Sequence, residues 1–256
     1  MSRAARWASA GLLVLVGLPS PASAQVVQSF QFGAGWFSPK GYDGRATGDV
    51  LVANLSQPDV LPGVSGSLEF DIADFRMWNL FGEWNVAFGD RIEASGGLAY
   101  YRRTVPSRYR DLVNSARGNA DIEQDLKLRQ IPITGLVRFL PFGRAGSAQP
   151  YVGAGLVAVN FRYTESGEFV DPSDLSIFCA GSPGCPTQRY LATGTAVGPV
   201  LVGGIRLPVN GDIYAFTMEG RYQMVEGKTG GGAAGFLGDK LDLGGFTLNM
   251  AVLIRF

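Results

Sequence analysis

The sequence predicts an all-β fold: a transmembrane, antiparallel, up-and-down β-barrel of eight strands. Three observations carry this reading. Apolar residues recur with period 2, most cleanly at Phe246, Leu248, Met250, Val252, Ile254 and Phe256, which share one strand face, while Thr247, Asn249, Ala251, Leu253 and Arg255 share the other. The connections between such segments are alternately short and long, as in membrane barrels. The 36 glycines, 16 Phe, 9 Tyr and 4 Trp of the 256 residues accompany a mean hydropathy of +0.11. Beyond the amino-terminal segment there is still no run of roughly 18 apolar residues for a membrane helix, so apolar strand faces diluted by polar ones account for the hydropathy.

The amino terminus points to export. Arg3 and Arg6 precede an apolar stretch from Ala8 to Leu18, then Pro19, Pro21 and Ala22-Ser23-Ala24, the layout of a secretory signal cleaved before Gln25. Residues 1–24 are therefore expected to be removed and 25–256 to form one barrel domain, a common size for a barrel. Cleavage takes away two of the 22 basic residues and none of the 22 acidic ones, leaving a net charge of −2. Such a surface offers nothing to nucleic acid.

The strands are expected, in order, near 26–37, 77–88, 92–104, 126–140, 150–164, 193–207, 212–225 and 241–256. In the second, Trp78, Leu80, Gly82, Trp84, Val86 and Phe88 oppose Asn79, Phe81, Glu83, Asn85 and Ala87. In the fourth, Ile131, Ile133, Gly135, Val137 and Phe139 oppose Gln130, Pro132, Thr134, Leu136 and Arg138. The sixth is blurred by Gly198, Pro199, Gly203 and Gly204, which leaves its facing open. The seventh sets Tyr214, Phe216, Met218, Gly220 and Tyr222 against Thr217, Glu219, Arg221 and Gln223. Short connections fall at Gly89-Asp90-Arg91, Pro141 to Gln149 and Pro208 to Gly211; long ones cover 38–76, 105–125, 165–192 and 226–240, with part of 65–76 extending the second strand.

Alternation alone does not say which face looks outward, because a soluble barrel of the lipocalin type turns its apolar face in. The signal segment, the connection lengths and aromatics near strand ends favour the membrane arrangement. Phe88, Phe139, Phe142, Tyr151, Tyr214 and Phe256 suit one interfacial belt, and Trp36, Phe37, Trp78, Tyr100, Tyr101, Tyr163, Tyr190 and Tyr222 the other.

The passage Ile131 to Leu140, followed by Gln149-Pro150-Tyr151-Val152-Gly153-Ala154-Gly155, resembles the strand-turn-strand unit of small outer-membrane barrels related to OmpA and OmpW. The segment Phe246–Phe256, closing on an aromatic, is similar to the terminal strand of such barrels. The resemblance implies residence in the bacterial outer membrane among its lipids, with both termini periplasmic. It also implies that Phe246, Leu248, Met250, Val252, Ile254 and Phe256 are read by the barrel-assembly machinery. It says little about role, since this architecture serves anchors, adhesins, channels and enzymes.

Catalytic chemistry finds no support. The chain has no histidine, which closes Ser-His-Asp hydrolysis and the histidine-dependent chemistry of outer-membrane lipases, lipid A deacylases and omptin-type proteases. Ala180-Gly181-Ser182-Pro183-Gly184 lacks the first glycine of a nucleophile elbow and reads as a turn. Gly227-Lys228-Thr229 lies too far from Gly220 for a phosphate loop and runs into Gly230-Gly231-Gly232. Two cysteines without histidine make no closed zinc site, and Asp171 with Asp174 lacks calcium-loop spacing. No catalytic, cofactor-binding or metal-binding residue is expected. Cys179 and Cys185, with five residues between them in a long connection, are expected to form a local disulfide in an oxidising compartment.

Parity places Glu83, Glu93, Arg138, Arg162, Glu219, Arg221 and Arg255 inside, and Arg206 joins them if the sixth strand, whose facing is open, turns it inward. An eight-stranded lumen has room for little beyond side chains, and unpaired ions there are costly, so a Glu–Arg network plugging the barrel is expected. The alternative is a narrow OmpW-like conduit for small hydrophobic or anionic solutes, the arginine excess favouring anions. The two functional classes are thus a non-enzymatic surface barrel and a narrow channel. In the first, loops such as 38–76 and 165–192 bind an extracellular ligand, or the barrel serves the envelope structurally.

Overall fold

A computed structural model describes residues 26–40, 68–115, 118–170, 177–178, 189–209, 213–230 and 240–256. Residues 1–24, expected to be a signal segment, and the two cysteines of the expected disulfide lie outside these residues. Eight long strands are present: β1 Val26–Pro39, β2 Met77–Phe88, β3 Ile92–Asn114, β4 Ala120–Phe139, β5 Gln149–Gly167, β6 Arg189–Val209, β7 Tyr214–Gln223 and β8 Gly245–Arg255. Each pairs antiparallel with its neighbours in sequence, and β8 returns to β1 from Ser29↔Arg255 to Pro39↔Gly245, closing the ring. Closure leaves the eight-stranded ring itself, among the described residues, without an unpaired edge strand. Val26 pairs with Phe88 beside the first short turn, so the start of β1 and the end of β8 lie at the short-turn end. Gly89 and Gly143 close short turns at φ +66° and +70°, a left-handed conformation in which glycine has no steric penalty.

The long connection expected over 105–125 is largely a continued ladder. β3 runs to Asn114 and β4 starts at Ala120, with one register shift between Arg108 and Val113. The physical reason is that alternation persists there with its polarity reversed: Val105, Tyr109, Ile122, Leu126 and Leu128 are buried inside, while Arg108 and Asp121 pair on the outside at 3.2 Å. Part of the stretch before β2 continues that strand's side of the ladder on β3, as expected, but not as one uninterrupted strand. Leu68–Glu69 pairs with β3, at Leu68↔Tyr109, and a 3-10 turn, Ile72–Phe75, follows. The Asp71 carboxylate accepts the Ala73 N–H at 2.7 Å and caps the turn.

Two levels with opposite facing result. Toward the short turns the exterior is apolar, with Phe32, Trp84, Leu98, Ile133, Leu156, Phe216 and Met250 all exposed, and the interior is polar. A continuous apolar surface around the whole ring far exceeds what a water-exposed barrel carries, so this level is built to face hydrocarbon. Beyond it the exterior turns polar and the interior apolar, the arrangement of a soluble barrel.

Candidate functional site: the barrel interior

The polar level is built around six buried charges. Glu83 comes from β2, Glu93 from β3, Arg138 from β4, Arg206 from β6, and Glu219 and Arg221 from β7, none more than 7% exposed. Arg138 binds Glu83 at 2.5 Å through one terminal nitrogen and Glu219 at 2.7 Å through the other. It also donates to Asn85 Oδ1 at 2.8 Å and Ser95 Oγ at 3.0 Å. Arg221 joins the same two carboxylates, at 2.9 Å to Glu83 and 2.7 Å to Glu219. Arg206 grips Glu93 through both terminal nitrogens, one of them 2.7 Å from Oε2. Three carboxylates thus meet three guanidinium groups, and planar forks satisfy several oxygens at once.

Tyr151, on β5, ties the arginines together. Its hydroxyl donates to Glu219 at 3.1 Å, and the guanidinium carbons of Arg138 and Arg206 lie over its ring, 5.3 and 5.0 Å from the ring centre. Gly204 makes room: a Cβ there would sit 2.6 Å from the Tyr151 hydroxyl. Gln31 on β1 donates to Glu83 at 2.9 Å. At the short-turn rim, Arg255 donates to Gln149 at 2.7 Å, and Arg144 lies 3.8 Å from Glu93.

Above the ions, Gln223 donates to Gln130 at 3.4 Å and to the Leu243 carbonyl at 2.7 Å. An apolar layer follows, with Val105, Leu126, Leu128, Val157, Val159, Phe161, Leu241 and Leu243 buried together. Phe75 reaches it from the 3-10 turn; its carbonyl accepts the Tyr101 hydroxyl, and Tyr101 packs edge-on against Phe37 at 4.9 Å. The interior is therefore filled by an ionic layer at one level and an apolar one at the next.

Of the charges expected inside, Glu83, Glu93, Arg138, Glu219, Arg221 and Arg255 are inside. Arg162 is not. On β5 the inward residues include Tyr151, Val157, Val159, Phe161, Tyr163 and Glu165, and Arg162 lies on the outer face, beside the exterior of β4. Its position lies beyond the level where facing reverses, and there a charge is free to face outward. The same reversal and the lumen's need for bulk move Tyr151, Phe37, Tyr101 and Tyr163 from the expected belts to the interior. The six charges of this layer balance, and Glu165 and Glu168 are buried beyond it, so the expected arginine excess is absent from the interior and Arg144 and Arg255 stand at the rim. Arg206 and Tyr151 are the members that sequence reading underweighted. The run Val200, Val202, Gly204, Arg206, alternating inward on β6, carries the signal for the first.

Gly227 lies against Phe161, where a Cβ would come within 2.8 Å of the ring, so the Gly-Lys-Thr glycine serves packing. Among the described residues no group of three His, Cys, Asp or Glu side chains is placed to hold a metal. Phe246, Leu248, Met250, Val252, Ile254 and Phe256 all lie on the outer face of the β8 segment. Phe256 stacks edge-on with Trp84 at 5.2 Å and donates its N–H to Gln28 at 3.1 Å.

No family model matches the chain, and no curated protein matches it. Among solved structures it is similar to Ail, the attachment invasion locus protein of Yersinia pestis, in complex with the heparin analogue sucrose octasulfate. That match has 11% identity and a TM-score of 0.40 over 90% of this chain and 97% of Ail. Neisserial surface protein A is 13% identical, with a TM-score of 0.42 over 93% of this chain and 100% of that one. Outer membrane protein W of E. coli is 14% identical, with a TM-score of 0.38 over 90% and 97%. The class of this chain, a closed eight-stranded barrel built to span a membrane, rests on its own ring closure and outward apolar level.

Proposed function

We propose that this chain is a non-enzymatic protein of the bacterial outer membrane, exported by residues 1–24, whose barrel is a closed scaffold with both termini periplasmic. It acts at its outer end, where the long connections engage an extracellular ligand, or as a structural part of the envelope. The observation supporting a closed scaffold is the buried layer of Glu83, Glu93, Glu219, Arg138, Arg206 and Arg221, which occupies a lumen already narrow at eight strands. A narrow conduit for small hydrophobic or anionic solutes would require this layer and the apolar one to part together. Planar-bilayer recording tests the reading: purified protein should give at most small, infrequent steps, whereas steady porin-sized conductance would refute the plug.

Placement in the outer membrane has its own test. Phe256 joins a lipid-facing aromatic pair with Trp84 and is the residue the assembly machinery is expected to read. Phe256→Ser should cut the heat-modifiable, faster-migrating form in the outer-membrane fraction several-fold while export continues. Unchanged levels of that form would count against the assembly role.

A further inference from the structure

Where the barrel exterior passes from apolar to polar, three arginines stand in one row. Arg102 on β3 is paired directly with Arg129 on β4, and Arg129 directly with Arg162 on β5. Side chains of directly paired residues start about 5 Å apart, and like charges so placed repel. Two further cations border the row: Lys127, two positions along β4, and Arg189 on β6. With Thr164 they line an exterior cleft of about 210 Å³. Among the described residues none of the five makes an ion pair with a carboxylate, although Asp125 occupies the next outward position of β4. The Nε of Arg129 is buried and has no hydrogen-bond partner in the protein. Repulsion uncompensated across three strands, with a buried donor left over, marks a site that an anion completes.

We propose that this row binds the phosphorylated headgroup of a membrane lipid. The inference rests on the membrane reading above, because the row's position decides the source of the anion. Ile131, paired with Asn160, is the next outward residue below Arg129, and Leu98, paired with Ile133, follows below it. The cations thus begin within about 7 Å of the apolar surface along the strands. A lipid seated there lays its acyl chains on that surface and brings its phosphate to the arginines, whose forks bind phosphate oxygens in pairs.

The full-length mature protein would be reconstituted in phosphatidylcholine vesicles containing either bisphosphorylated lipid A or its dephosphorylated form. Lipid retained after detergent extraction would be counted by native mass spectrometry. Wild type should retain the bisphosphorylated lipid about tenfold better. The R102Q/R129Q/R162Q variant should show no preference, yet melt no lower than wild type in phosphatidylcholine alone, because repulsion has been removed. Equal retention of both lipids by wild type, a comparison needing no variant, would overturn the site, as would a preference that survives in the variant. Inorganic pyrophosphate raising the melting temperature in lipid-free micelles as much as the lipid does would reassign the site to a soluble phosphate and overturn the lipid assignment. Failure of wild type to insert into phosphatidylcholine vesicles would sink the membrane reading itself, an outcome separate from insertion with equal retention.

Discussion

Replacing Arg138 with Ala should destabilise the barrel by about 3–5 kcal/mol, the usual loss when one partner of a buried ion pair is removed. Arg138 is fully buried and is the only one of the three central guanidinium groups that contacts Glu83 and Glu219 through separate nitrogens while also binding Asn85 and Ser95. Without it the three buried carboxylates keep only Arg206 and Arg221 within the layer, with Arg144 at the rim 3.8 Å from Glu93, and Glu83 and Glu219 share the single Arg221. Arg138→Lys keeps the charge but loses the fork, so its loss should be intermediate. Glu219→Gln added to Arg138→Ala restores the balance and should recover part of the stability, by the logic of a double-mutant cycle. Denaturant unfolding in lipid vesicles, followed by the unboiled gel shift, provides the measurement. A loss below about 1 kcal/mol for Arg138→Ala would mean that lumen water screens these ions and that the network is no plug.

The sequence carried the eight strands because the lipid-facing level imposes a strict alternation, apolar outside and polar inside, on every strand that crosses it. Glu83, Arg138, Glu219 and Arg221 were legible for the same reason. Arg162 was not, because the rule that charges point inward holds only where hydrocarbon surrounds the barrel. At the row Arg102–Arg129–Arg162 the surroundings become polar and the rule inverts, a boundary that no single strand displays. The same inversion hid the ladder over 105–125, whose inward Val105, Tyr109 and Ile122 read as loop residues once the outward apolar face had ended.

Packing inside the ring was illegible for a different reason. Gly204 accommodates Tyr151 from the neighbouring strand, and Gly194 accommodates Phe161, where a Cβ would come within 3.0 Å of the ring. In the linear sequence these glycines only weaken the period of the sixth strand. Their partners lie 53 and 33 residues earlier on β5, and only the register, Tyr151↔Gly204 and Phe161↔Gly194, joins them. Tyr151 itself stands near a strand end, where an aromatic ring equally suits a membrane belt. Its inward direction follows from the space opposite it.

Phe161→Ala should cost about as much as Arg138→Ala, in the range of 3–5 kcal/mol found for emptying a buried aromatic site, but by a different mechanism. Phe161 is 2% exposed in the apolar layer, against Gly194 and Gly227, and glycines have no side chains with which to refill the space. The register pairs Arg138 with Gly153, eight residues before Phe161 on β5, so the two sites lie about 26 Å apart along the strand. At that separation, with no shared contacts, the two losses should add to within about 0.5 kcal/mol. Conductance should behave otherwise. Each single variant leaves one layer intact and should remain nearly silent in a planar bilayer, while the double variant, if it still shows the unboiled gel shift, should give clearly more frequent openings. Conductance already raised by Arg138→Ala alone would show that the apolar layer does not seal the lumen. Closure would then rest on the ions.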